Sequence, residues 1–313
     1  MRLQRRREIG DMKVNRLVSW FWNSFVKNND AKNLAKQTPP DFDDAILDVS
    51  YLNDGHKLHT LNVYRPKNTE GKIPVIFDVH GGGWYYGDKE LNANFCKALV
   101  QYGFAVVDIS YRLAPEANIF EQISDVCAAI EYSGQMADEF GIDMQNAFMA
   151  GDSAGGHIVA MIANIASDIV LQNKFGVEPK IVPKAVGLIC PALEPLEIAP
   201  LPKSSMKFYY DPIFGENFLK NGIADLVSFK SIVTSDMCPC FLISAYGDFI
   251  RRQTLNGYKL LNEKGIEAKL FYFEKNVCKQ HKLIHVFNVL NWDWEESQMA
   301  NRSMCEFFKS KVI

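Results

Sequence analysis

The stretch GDSAGGH at residues 151–157 holds Asp152, Ser153 and His157, the three side-chain types that serine-based acyl transfer uses. Gly151-Asp152-Ser153-Ala154-Gly155 matches G-x-S-x-G, a pattern that lifts a serine hydroxyl on a sharp strand-to-helix turn. The context agrees: the strand-like run NAFMA leads in and the helical run HIVAMIANIA leads out. Ser153 is therefore a candidate nucleophile. The start of the following helix adds free N–H groups and partial positive charge beside it. His157, four residues further along that helix, is carried under the turn and reads as a packing residue. Asp152, adjacent to the serine, points away across the turn and cannot orient a base on the far side.

A second candidate element, His80-Gly81-Gly82-Gly83-Trp84, directly follows the apolar run PVIFDV. Consecutive glycines let backbone N–H groups approach a ligand without side-chain obstruction. A tetrahedral intermediate in acyl transfer needs such donors fixed before its charge appears. The loop has neither the lysine of a P-loop nor the spacing G-x-G-x-x-G, which argues against a nucleotide.

The elements that would position these residues follow an alternating order. Residues 46–52 and 58–65 read as two strands joined by the turn Asn53-Asp54-Gly55. Near-continuous apolar runs at 74–79, 104–110, 146–150, 185–190, 240–246 and 268–273 suit strands buried on both faces of a parallel sheet. Helical patterns lie at about 90–101, 120–140, 154–171, 251–264 and 294–310. A hairpin followed by repeated βα units predicts an α/β fold, a doubly wound sheet with helices on both faces. Two segments break the alternation. Residues 1–45 are predicted to form an N-terminal cap segment and residues 194–236 a cap insertion, leaving 46–193 and 237–313 as the core.

Composition excludes several classes. With 313 residues and a net charge of −3, acids and bases interspersed, the chain does not present the basic surface of a nucleic-acid binder. The head MRLQRRR reads as a solvated tail, and Met12 is an alternative start. The aromatic LVSWFWNSF lacks the cleavage site of an export signal, and no stretch reaches the length of a membrane span. The seven cysteines are odd in number and sit mostly in apolar runs, so reduced thiols and a cytoplasmic location are expected. Cys238-Pro-Cys240 has one spacer residue rather than two, and Cys278, His281 and His285 have metal-like spacing without a second cysteine or a carboxylate pair close in sequence. No metal and no cofactor is expected.

HGGGW at 80–84, YRLAPE at 111–116 and GDSAGG at 151–156, in that order, resemble the hormone-sensitive-lipase-like family of α/β-hydrolases, over roughly residues 45 to 313. The resemblance implies a mostly parallel eight-stranded sheet with a helical cap. It also implies an oxyanion hole from the N–H groups of Gly82, Gly83 and Ala154, with His80, Gly81 and Asp152 as structural members of the motifs. In this fold the chain order is nucleophile, acid, histidine. His56, His59 and His80 precede the serine, so the base lies beyond the last predicted strand, at His285 or His281. The apolar run after His285 matches the family's pattern and favours it. The family's acid follows the strand CFLISAY, which selects Asp248, with Glu274 a distant alternative. The implied function is a serine carboxylesterase acting on short-acyl esters through Ser153, Asp248 and His285. The alternatives on this fold are an arylformamidase, a peptidase or a non-catalytic ligand receptor. The expected partner is a small-molecule ester, and a homodimer stays open. A base of ordinary imidazole pKa, near 6.5, implies activity rising from about pH 6 to about pH 8.

Overall fold

The computed structural model describes residues 26–40, 42, 44–67, 69–198, 203–278 and 280–313. The basic head, Met12, the aromatic segment and its Trp20 and Trp22 lie outside them. An eight-stranded sheet has the order β1-β2-β4-β3-β5-β6-β7-β8. Its strands are β1 Ala45–Ser50, β2 Thr60–Tyr64, β3 Ile73–Val79, β4 Ala105–Ile109, β5 Ile142–Asp152, β6 Val186–Ile189, β7 Cys240–Ala245 and β8 Ala268–Phe273. β1 pairs antiparallel with β2, and β2 with β4. The remaining pairs are parallel, which is the α/β-hydrolase sheet. β4 and β7 are buried along their whole length, Asp108 and Ser244 included, in keeping with their near-continuous apolar runs.

The helices are α1 Lys27–Leu34, α2 Ala93–Val100, α3 Ile119–Gln135, α4 Ala137–Phe140, α5 Ser153–Ser167, α6 Ile169–Phe175, α7 Lys203–Phe214, α8 Ile223–Leu226, α9 Phe229–Ile232, α10 Arg251–Glu263, α11 Phe287–Leu290 and α12 Glu295–Lys309. Two apolar cores lie on opposite faces of the sheet. One joins Ile158 and Ile162 of α5 to Val126 of α3 and Phe214 of α7. The other joins Phe95 and Leu99 of α2 to Met304 and Phe308 of α12. The helix expected over 154–171 is two helices. Asp168 adopts an extended conformation and its carboxylate accepts from the N–H groups of Val170 and Leu171, so it caps a new helix where hydrophobic period alone shows none. The helix expected over 120–140 likewise breaks at Met136.

Residues between β6 and β7 pack over the loop that leaves the carboxyl end of β3. The Tyr85 hydroxyl donates to the Tyr209 carbonyl at 2.7 Å, and the Trp84 ring meets Phe214 at 5.9 Å. His157, fully buried on α5, donates from Nε2 to the Val227 carbonyl at 2.9 Å and abuts the Trp84 ring edge to face. It thus joins α5 to this insertion and stays remote from the serine's solvent side.

Burial pushes the His157 imidazole down to about 4, and the bond to Val227 offsets this only in part. An unfolded chain takes up this proton near pH 6.5, whereas the folded chain resists until about pH 4. The contribution is therefore full above about pH 6.5 and is lost as pH falls toward 4. His157→Gln keeps a donor for Val227 but does not titrate. Between about pH 7 and pH 4.5, wild-type unfolding free energy should fall relative to the variant's by up to roughly 3 kcal/mol. Denaturant melts across that range measure it, and parallel profiles for the two proteins would contradict a buried neutral imidazole.

Candidate active site

The turn between β5 and α5 holds Ser153 at a φ of 52°, in the left-handed region that side chains other than glycine rarely adopt. Its neighbours show why the flanking positions are glycine. A Cβ on Gly155 would lie 1.9 Å from the Val79 carbonyl oxygen, and one on Gly151 would lie 2.7 Å from the Gly155 backbone. The close crossing presents the serine hydroxyl above the carboxyl ends of the strands.

Two distant loops meet it there. His285 Nε2 lies 2.9 Å from Ser153 Oγ, and His285 Nδ1 lies 2.7 Å from Asp248 Oδ1. Asp248 is fully buried in the turn after β7, where Oδ1 accepts from the Ile250 N–H and Oδ2 from the Ser244 hydroxyl. Burial alone would raise this carboxyl. The bonds from His285, Ser244 and Ile250 outweigh it and hold Asp248 below the ordinary carboxylate range. Gly247 brings the two loops together: it bridges Ile284, and a Cβ there would meet the Leu283 carbonyl oxygen at 2.3 Å.

The loop after β3 supplies backbone rather than side chains. Gly82 and Gly83 have φ of 106° and 60°, and their N–H groups enter no backbone hydrogen bond among the described residues outside helices and strands. Ala154 lies in the first turn of α5, where N–H groups lack intrahelical acceptors. His80 is fully buried, donates from Nδ1 to the Gly81 carbonyl at 2.8 Å and stacks on Tyr111. Burial pushes it down to about 4, so it is neutral. Asp152 accepts from the Gly81 N–H and from Asn92 Nδ2, each at 2.9 Å. Asn92 spends its other amide proton on Asp78 Oδ2 at 2.8 Å. Burial raises the Asp152 carboxyl and pushes Asp78 up to about 7.

A cavity of about 280 Å³ opens over Ser153 and His285. Gly82 and Gly83 bound it on one side and Leu91, Val286, Leu290 and Phe249 on others. Val26 and Asp30 from the start of the described chain complete the wall. Burial, then the charge of Asp152, pushes Asp30 up to about 6. Asn92, Asp30 and Leu290 carried no signal in the sequence, since each reaches the site only through the packing of its helix. The other candidates lie elsewhere. His56 pairs with Glu116, His59 pairs with Asp54, and Glu274 is exposed at the end of β8. His281 contacts Glu296, not the serine.

The family model BD-FAE matches residues 61–249. Carboxylesterase NlhH of Mycobacterium tuberculosis is 38% identical over 110 residues, 35% of this chain and 34% of that protein. The matched stretch thus spans about a third of the length of this curated relative. Esterase B from Lactobacillus Rhamnosis superposes with a TM-score of 0.88 at 28% identity, covering 97% of this chain and 96% of that one. The same esterase inhibited with a C4-C4 SN3 tributyrin phosphonate gives 0.86 at 30% identity, with 96% and 94% covered. By its motifs, its sheet and the match over most of its length, the chain belongs to the BD-FAE family and is an α/β-hydrolase of the hormone-sensitive-lipase-like type.

Proposed function

We propose that this protein is a serine carboxylesterase that hydrolyses short-acyl esters with Ser153 as nucleophile, His285 as base and Asp248 as its orienting acid. The observation that carries the reading is the relay from Ser153 Oγ to His285 Nε2 at 2.9 Å and from His285 Nδ1 to Asp248 Oδ1 at 2.7 Å. The names of the relatives, a carboxylesterase and an esterase, support the reaction class.

With Nδ1–H donated to Asp248, the His285 Nε2 lone pair faces the serine hydroxyl. As Oγ attacks the ester carbonyl, its proton passes to Nε2, and Asp248 stabilises the imidazolium. The oxyanion develops against the N–H groups of Gly82, Gly83 and Ala154, each such donor being worth about 10²- to 10³-fold in rate. His285 then protonates the leaving alcohol, and water releases the acyl group by the reverse sequence. Asp152 and His80 hold the loop and take no proton in the reaction.

The size of the cavity supports the short-acyl preference. About 280 Å³ lies just below the usual range for pockets that hold drug-sized ligands, which starts near 300 Å³. Tributyrin-type inhibition of Esterase B fits the same preference. We read residues 1–45 and 194–236 as two parts of a cap over the core. Val26 and Asp30 border the cavity, and Tyr209 and Phe214 rest on the 80–84 loop.

Hydrolysis of p-nitrophenyl butyrate tests the chemistry. Ser153→Ala and His285→Ala should each lower kcat by about 10⁴-fold or more, and Asp248→Asn by about 10⁴-fold. His281→Ala should leave kcat within about twofold. A fully active Ser153→Ala variant would sink the mechanism, and a dead His281→Ala beside a normal His285→Ala would overturn the base assignment. The acyl preference has its own test in Leu290→Ala, which lengthens the cavity. The octanoate-to-butyrate ratio of kcat/KM should rise roughly fourfold or more, the equivalent of one buried methylene. An unchanged ratio would remove Leu290 from the acyl wall.

A further inference from the structure

Cys278 and His281 do not share a centre with His285, the third member that their spacing suggested. Folding gives His285 to Ser153 and brings Glu296, from the first turn of α12, into the vacant place. Cys278 Sγ lies 2.5 Å from Glu296 Oε1, and His281 Nδ1 lies 2.9 Å from Glu296 Oε2. The three donor atoms fall within 4.8 Å of one another. The His281 ring stacks on Trp294, centroids 4.1 Å apart and planes 7° from parallel, so its plane is set without using either nitrogen. Of the seven cysteines, Cys278 alone is not buried. Burial opposes ionisation of Glu296, but the bonds from Cys278 and His281 outweigh it and keep the carboxylate charged.

We propose that Cys278, His281 and Glu296 form a binding site for a zinc-class divalent cation, with water in the fourth position. Mixed sulfur, nitrogen and oxygen donors suit a borderline-soft ion, whereas calcium and magnesium take oxygen alone. On binding, the Cys278 thiol gives its proton to solvent and the sulfur becomes a thiolate ligand. His281 exchanges through solvent the Nδ1 proton that it donates to Glu296 for one on Nε2, so that Nδ1 offers its lone pair, and one Glu296 oxygen completes the protein set. Zinc bonds run about 2.3 Å to sulfur and about 2.0–2.2 Å to nitrogen and oxygen, which separates donors by roughly 3.5 Å. The carboxylate therefore steps back slightly to admit the ion. The site ties α12 to the loop carrying His285, whose neighbour Ile284 bridges Gly247. It stands independently of the esterase reading, because none of its ligands acts on Ser153.

Chelator-treated, reduced protein titrated with Co²⁺ tests the proposal. The expected result is a thiolate-to-cobalt charge-transfer band that saturates at one ion per chain and is lost in Cys278→Ser. Glu296→Gln and His281→Asn should each weaken Co²⁺ affinity by about tenfold or more. In unaltered protein, Zn²⁺ should slow alkylation of Cys278, read by mass spectrometry of its peptide, by about tenfold or more. This second measurement stands even where a variant fails to fold. Absence of the band in wild type, its persistence in Cys278→Ser, or an alkylation rate unchanged by Zn²⁺ each overturns the site.

Discussion

The start of α5 lies so close to the end of β3 that a single added methyl at Gly155 would strike the Val79 carbonyl oxygen at 1.9 Å. The rest of the site depends on that approach. It forces Ser153 to a φ of 52°, sets its hydroxyl at the carboxyl edge of the sheet, and brings it beside the glycine loop that begins one residue after Val79. Backbone strain of this kind persists only where surrounding packing over-determines it. Here α5 provides that packing, with all but the ends of the helix buried.

Beneath the loop lies an unusual concentration of buried acid. Asp78 and Asp108 are neighbours across β3 and β4, both fully buried, and Asp152 lies at the end of β5. Ionising all three in the interior would cost far more than the fold can supply, so burial raises each carboxyl toward its neutral form. Asn92 divides its two amide protons between Asp78 and Asp152. Asp152 in turn accepts from the Gly81 N–H, which ties the glycine loop to the end of β5.

The cavity draws its walls from parts of the chain that share no local pattern. Leu91 follows the glycine loop, Phe249 follows Asp248, and Val286 and Leu290 follow His285, while Val26 and Asp30 come from the other end of the described chain. Val26, Leu91, Phe249, Val286 and Leu290 give it apolar walls, beside the polar Asp30, Asn92, Asp152, Ser153 and His285. Among the described residues, those between β6 and β7 do not line this cavity. They brace the loop that does, through Tyr85, Trp84 and His157.

The strand runs, the turn that carries Ser153 and the loop of three glycines were legible in the sequence, because each is a local pattern that dictates backbone conformation. Alternation of buried strands and helices fixes the sheet, and G-x-S-x-G describes a turn whose sterics admit little else. The breaks at Asp168 and Met136 are local features that the hydrophobic period hides, the first a cap inside a continuous apolar run. Which histidine faces the serine is a different kind of fact. It depends on Gly247 letting the loops of Asp248 and His285 touch at the Leu283 carbonyl, and on His285 then meeting Ser153, 132 positions before it. Glu296 beside Cys278 and His281, and Asp30 in the cavity, are likewise products of packing. Local sequence determined what the chain could present, and tertiary structure decided which groups meet, since contacts between distant segments depend on the packing of everything between them.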